Sequence, residues 1–156
     1  MAAFQKILVT GSSGQLGREV VALFRQQGYQ VTGADVVAGP TTDLLLDIRD
    51  QQAVLDATRG LDAIVHTAAL HGKHYELGYA RRDFVETNIG GALHLLEACV
   101  RRGIRKLLYT STTSMCFPSS IDRVYSIEKA QRVLGYAPRY TAEYLLHQAL
   151  AAADAS

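Results

Sequence analysis

The chain has 156 residues, 48% of them hydrophobic and 20% charged, a balance that supports one compact domain and excludes disorder and collagen-like order. Sixteen Lys and Arg against fifteen Asp and Glu leave a net charge of +1, so electrostatics gives no reason to expect nucleic acid or an anionic membrane as partner. Two cysteines, Cys99 and Cys116, are too few for a disulfide framework; Cys99 falls in an apolar helical pattern, which fits a buried free thiol in a reducing, cytoplasmic setting.

Lys6 to Thr10 is a short apolar run ended by Gly11, and Leu16, Val20, Leu23 and Phe24 then recur at helical spacing within 15–27. Gly28 closes that helix and Tyr29 to Asp35 reads as a second strand, completing a βαβ unit whose strands must be parallel. A loop around Gly39-Pro40, an apolar run from Leu44 to Leu46, a helix over 50–58 and a strand over 61–67 follow. A long helix is expected over 82–102, with Phe84, Val85, Ile89, Leu93, Leu96 and Val100 as its apolar stripe and Gly103 as its stop; a fifth strand spans 105–111. Residues 111–122 carry no periodic signal, and helices are expected over 127–134 and 141–153. The alternation predicts a single-domain α/β fold, a doubly wound Rossmann-like parallel sheet in the order 3-2-1-4-5 with its ligand across the switch between strands one and four. Apolar runs of only a few residues, and an N-terminus that leads directly into a strand, predict neither a spanning helix nor a signal peptide.

Gly11, Gly14 and Gly17 stand at GxxGxxG spacing between a predicted strand and a predicted helix, with Ser13, Gln15 and Leu16 among them. Glycine at 11 permits the tight turn, at 14 close approach of backbone to a pyrophosphate, and at 17 close packing of helix on strand; the phosphates would sit at the helix N-terminus. Asp35 ends the second strand eighteen residues after Gly17. A carboxylate there accepts from both ribose hydroxyls and repels a 2′-phosphate, which favours NAD over NADP.

These features resemble the N-terminal portion of an extended short-chain dehydrogenase/reductase of the NAD-dependent epimerase/dehydratase family, over 1–115. Asp47-Ile48 resembles the family's adenine-side Asp, His66-Thr67-Ala68-Ala69 its His-x-Ala-Ala segment, Asn88-Ile89-Gly90-Gly91 its Asn-Val-x-Gly segment, and Leu107 to Thr112 the strand ending at its catalytic Ser or Thr. The resemblance implies NAD as cofactor, contacts from Thr67, Ala68, Ala69 and Asn88, a hydroxyl role for Thr112, a sugar nucleotide as the family's substrate, and a homo-oligomer, since the family's fourth helix contributes to a dimer contact.

Beyond that strand the resemblance breaks. Lys129 to Thr141 resembles the family's C-terminal Lys-Ala-x-x-x-Leu-Gly-Tyr-x-Pro segment, so 122–156 reads as the family's tail, joined near 114–122 with the substrate-binding middle missing. Tyr125 to Lys129 is also literally Tyr-x-x-x-Lys, a spacing that puts both on one helix face, where Lys would lower the Tyr pKa for proton transfer. Tyr125 follows Thr112 by only thirteen positions, scarcely enough for the chain to leave the strand and return, and the same residues fit the C-terminal segment. His71 and His74 stand at His-x-x-His spacing without a third ligand nearby, so no metal site is expected and a polar loop beside the nicotinamide end of the cleft is. His94 and His147 carry no assigned role. The leading expectation is an NAD-binding module with little or no turnover; the alternatives are a small oxidoreductase using Thr112, Tyr125 and Lys129, and an interaction protein on a retained Rossmann fold.

Overall fold

The structure, a computed structural model, describes residues 5–111. The helices expected over 127–134 and 141–153, the junction at 114–122, and with them Thr112, Tyr125 and Lys129, lie outside the described residues.

Five parallel strands form one sheet: β1 (Lys6–Thr10), β2 (Gln30–Asp35), β3 (Leu44–Leu45), β4 (Ala63–His66) and β5 (Lys106–Tyr109). Their order is β3-β2-β1-β4-β5, as the alternation of elements predicts. β1 is the hub, pairing Leu8 with Thr32 on one side and with Ile64 on the other. Because successive side chains of a strand face opposite ways, β1 feeds two cores. Ile7 and Val9 join Val65 and Val21 of the first helix, α1 (Gln15–Gln26), with Val20 and Phe24 packed beside them. Leu8 and Ile64 join Val54 and Leu55 of α2 (Gln51–Ala57) on the other face. Leu95, Ala98 and Cys99, from a helix running Ala92–Arg102, complete that second core. Asp50 caps α2 by accepting from the Ala53 N–H at 3.0 Å.

The sequence departs from expectation in two places. Residues 71–74 are not simply loop: Gly72–Glu76 form a short helix, α3, whose entry is tied by the His71 N–H donating to His74 Nδ1 at 3.0 Å. The long helix is three pieces, α4 (Arg81–Val85), a π-helical turn over Glu86–Gly91, and α5 (Ala92–Arg102). Its expected apolar stripe faces outward. Phe84 is half-buried, but Val85, Ile89, Leu93, Leu96 and Val100 are all exposed, Val100 by 83%, while Leu95 and Ala98 are fully buried and Gly91 and Cys99 turn inward with them. Small residues on this face let the rod sit close to the core, and burial raises the Cys99 thiol pKa.

This orientation predicts opposite costs for two substitutions that the expected stripe would rank the other way. Leu95→Ala should destabilise the chain by about 3 kcal/mol and Val100→Ala by less than about 0.5 kcal/mol. Chemical denaturation of both variants checks it.

Candidate dinucleotide site

In a doubly wound sheet the ligand crevice opens at the carboxyl ends of the strands, where the connections on either side of a strand part in opposite directions. Here that point lies between β1 and β4, whose last paired residues are Thr10 and His66. The two strand ends are bolted together. The Thr67 N–H donates to the Thr10 carbonyl at 3.1 Å and the Thr67 hydroxyl to the same oxygen at 2.7 Å. Thr10 Oγ1 and His66 Nδ1 lie 2.7 Å apart, both buried. Burial also pushes the His66 imidazole down to about 4, so the ring is neutral at physiological pH.

From this joint the chain turns at Gly11, whose φ of +74° few other residues adopt. A Cβ at Gly11 would stand 2.6 Å from the Ala68 N, and one at Gly17 would stand 2.0 Å from the Gly11 carbonyl oxygen. Glycines at both positions thus let the first turn of α1 sit on the turn and the turn on β4. The N-cap is Gly14, which has no side chain to cap the helix, and among the described residues nothing accepts from the N–H groups of Gln15, Leu16 or Gly17. Three aligned donors with the positive end of the helix behind them form an anion cradle.

Asp35 stands beside it. Its Oδ2 accepts from the Ser13 N–H at 2.9 Å and its Oδ1 from the Val37 N–H at 3.1 Å. Each oxygen keeps lone-pair capacity beyond that one bond. A hydroxyl cluster holds the loop after β2 against the glycine turn: Ser13 Oγ donates to the Val37 carbonyl at 2.8 Å and lies 2.6 Å from Thr42 Oγ1, which lies 2.9 Å from Ser12 Oγ. Val36 and Val37, directly after Asp35, are exposed.

Farther along the sheet edge, Asp47 is bound by Arg49, whose Nε lies 3.0 and 2.9 Å from the two carboxylate oxygens and whose Nη2 lies 2.6 Å from one of them. That guanidinium holds the Asp47 carboxyl below the usual range. Ile48 is buried; a Cβ at Gly91 would stand 2.5 Å from its Cδ1, and its carbonyl lies 2.9 Å from His94 Nδ1. Asn88, in the π turn, bonds Leu70 reciprocally: its Nδ2 donates to the Leu70 carbonyl and its Oδ1 accepts from the Leu70 N–H, both at 2.8 Å.

The structure therefore gathers Gly11, Ser13, Gly14, Gln15, Leu16, Gly17, Asp35, Thr67 and Ala68 around one turn, with Ala69 next along the chain. It sets Asp47 and Ile48 farther along the same edge. The Thr67 hydroxyl and the Asn88 amide are committed to backbone groups, so both residues act here as braces. Sequence reasoning missed Ser12, Val36, Val37, Thr42, Arg49 and His94. An Asp-x-Arg spacing marks Arg49, but no local pattern ties Thr42 to residue 13 or His94 to residue 48. Among the described residues, no three His, Cys, Asp or Glu side chains gather to hold a metal, and no helix is long and apolar enough to cross a membrane.

A parallel sheet in this order with a glycine turn opening a helix and an acid ending the second strand defines a Rossmann-type dinucleotide fold. The model of the NAD-dependent epimerase/dehydratase family matches residues 7–150, and the chain belongs to that family. The UDP-N-acetylglucosamine 4,6-dehydratase (inverting) of Campylobacter jejuni is 27% identical over 132 residues, which cover 75% of this chain and 39% of that protein. Among solved structures, a short-chain dehydrogenase/reductase superfamily protein from Agrobacterium tumefaciens with bound NAD is 34% identical with a TM-score of 0.60, covering 69% of this chain and 33% of that one. The UDP-glucose 4-epimerase of Thermus thermophilus in complex with NAD is 28% identical with a TM-score of 0.60, covering 69% of this chain and 38% of that one. The chain spans less than two fifths of the length of each of these relatives.

The buried His66 makes a testable pH signature. Its folded value of about 4 lies below the ordinary 6.5, so between these limits the unfolded chain takes a proton that the folded chain refuses. Stability is therefore lost as pH falls from 6.5 towards about 4, by up to about 3 kcal/mol from this group. His66→Asn, which keeps a polar atom where Nδ1 stands but does not titrate, should fall less steeply over that window in a comparison of urea midpoints.

Proposed function

We propose that this chain is a dinucleotide-binding module of the epimerase/dehydratase type, which takes NAD and NADH and turns over sugar nucleotides slowly or not at all. The observation that carries this is the open first turn of α1, where the Gln15, Leu16 and Gly17 amides have no acceptor among the described residues, beside a fixed acid. A pyrophosphate on those amides satisfies donors that otherwise have only water. Asp35 is held by the Ser13 and Val37 amides with acceptor capacity left for the two hydroxyls of an adenosine ribose. Val36 and Val37 offer apolar cover on the adenine side, and Ile48 has an N–H for which no described residue is an acceptor. When bound, NAD supplies the hydride acceptor and NADH the hydride donor.

Binding and turnover separate on physical grounds. Hydride transfer needs a substrate carbon about 3–3.5 Å from the nicotinamide, oriented by groups beyond the cofactor, and a proton donor of matched pKa. The described residues build the cofactor half of such a cleft. Thr112, Tyr125 and Lys129 are the chain's own candidates for the rest. Calorimetric titration should show NADH bound at least about tenfold more tightly than NADPH, with Asp35→Ala removing most of that preference by removing the like charge. Equal or tighter binding of NADPH contradicts the reading. NADH absorbance followed against sugar nucleotides and simple alcohols should show no saturable rate. A robust rate that collapses in both Tyr125→Phe and Lys129→Ala would instead make the chain a small oxidoreductase.

We also propose that the chain self-associates through the outward stripe of Val85, Ile89, Leu93, Leu96 and Val100, whose exposure on one face of one rod is the supporting observation. Light scattering at tens of micromolar should give a mass above that of the monomer, and Leu93→Lys with Val100→Lys should restore the monomer mass. A monomer without substitution contradicts it.

A further inference from the structure

We propose that His94 is a positioning residue for adenine recognition, holding the backbone of Ile48 so that its N–H presents to the ring; this rests on the dinucleotide reading above. A backbone carbonyl only accepts, so at 2.9 Å from the Ile48 oxygen the His94 Nδ1 carries the proton and donates it. The peptide group that carries the 48 oxygen also carries the Arg49 N–H, which donates to Asp47 Oδ1 at 2.9 Å. His94 and Asp47 thus hold this one peptide plane from both sides. With the Ile48 side chain buried against the bare Cα of Gly91, the residue can neither slide along the sheet edge nor turn about its own axis. Ile48 is itself buried, and its N–H is left with no acceptor among the described residues.

That donor selects one ring edge. Adenine presents an unprotonated ring nitrogen, N1, beside its 6-amino group; hypoxanthine presents N1–H beside a 6-oxo group. A fixed N–H therefore donates to the first and is opposed by the second, whereas a mobile one can swing aside and lose the distinction. His94 needs no contact with the ligand to act in this way, and it reaches the site from α5, the helix whose opposite face is apolar.

The test compares NADH with its hypoxanthine analogue on the full 156-residue chain, by fluorescence titration, in wild type, His94→Asn and His94→Leu. Asn places Nδ2 where His has Nδ1 and can donate to the same carbonyl; Leu fills the space without a donor. Wild type and His94→Asn should prefer NADH by about tenfold, and His94→Leu should lose most of that preference. An unchanged preference in His94→Leu overturns the proposal, since a purely structural loss would weaken both ligands alike. Failure of the wild type to bind either ligand overturns the dinucleotide reading itself. Should His94→Leu fail to fold, the long-range 1H–15N spectrum of the unsubstituted chain decides: protonation at Nδ1 of His94 supports the proposal and a proton on Nε2 alone overturns it.

Discussion

Everything at the carboxyl edge depends on how closely three backbones meet at the Gly11 turn. With a Cβ at Gly17 only 2.0 Å from the Gly11 oxygen, and one at Gly11 only 2.6 Å from the Ala68 N, no side chain larger than hydrogen fits at either place without parting the elements. That contact puts the N-terminus of α1 directly over the ends of β1 and β4. It fixes where the open amides point, and it brings Ser13 to the Asp35 carboxylate. An anion cradle and a ribose acceptor become neighbours because the turn leaves them nowhere else to go.

The second constraint is the rod formed by α4, the π turn and α5. Its middle ties Leu70 through Asn88 and, within two turns, Ile48 through Gly91 and His94. The two groups follow β4 and β3 respectively. A single rod therefore ties the loop after β4 and the loop after β3 to one another. The π turn falls at Glu86–Gly91, the stretch that contributes both Asn88 and Gly91.

The strand order, the glycine turn and Asp35 were legible because short-range physics dictates them: a βαβ unit must be parallel, a tight turn into a helix needs glycine, and the acid ends its strand. The stripe on the long helix was not. Val85, Ile89, Leu93, Leu96 and Val100 have helical spacing, yet hydrophobicity says that a face is apolar and not what it packs against. The inward face is written in small residues, Gly91, Ala98 and Cys99, around Leu95, a weaker signal. α3, five residues long, is too short to show periodicity. The partners of Thr42 and His94 lie 29 and 46 residues away, distances over which pattern carries no information and only the fold does.

The central claim is that the open turn at Gly11–Gly17 receives the dinucleotide. Titrating the 15N-labelled chain with NADH and following its amide resonances tests this most directly. The account predicts that the largest shifts fall on Ser13, Gln15, Leu16 and Gly17, followed by Asp35 and Ile48. Saturable shifts that leave those amides unmoved and gather instead on Leu93, Leu96 and Val100 would contradict it.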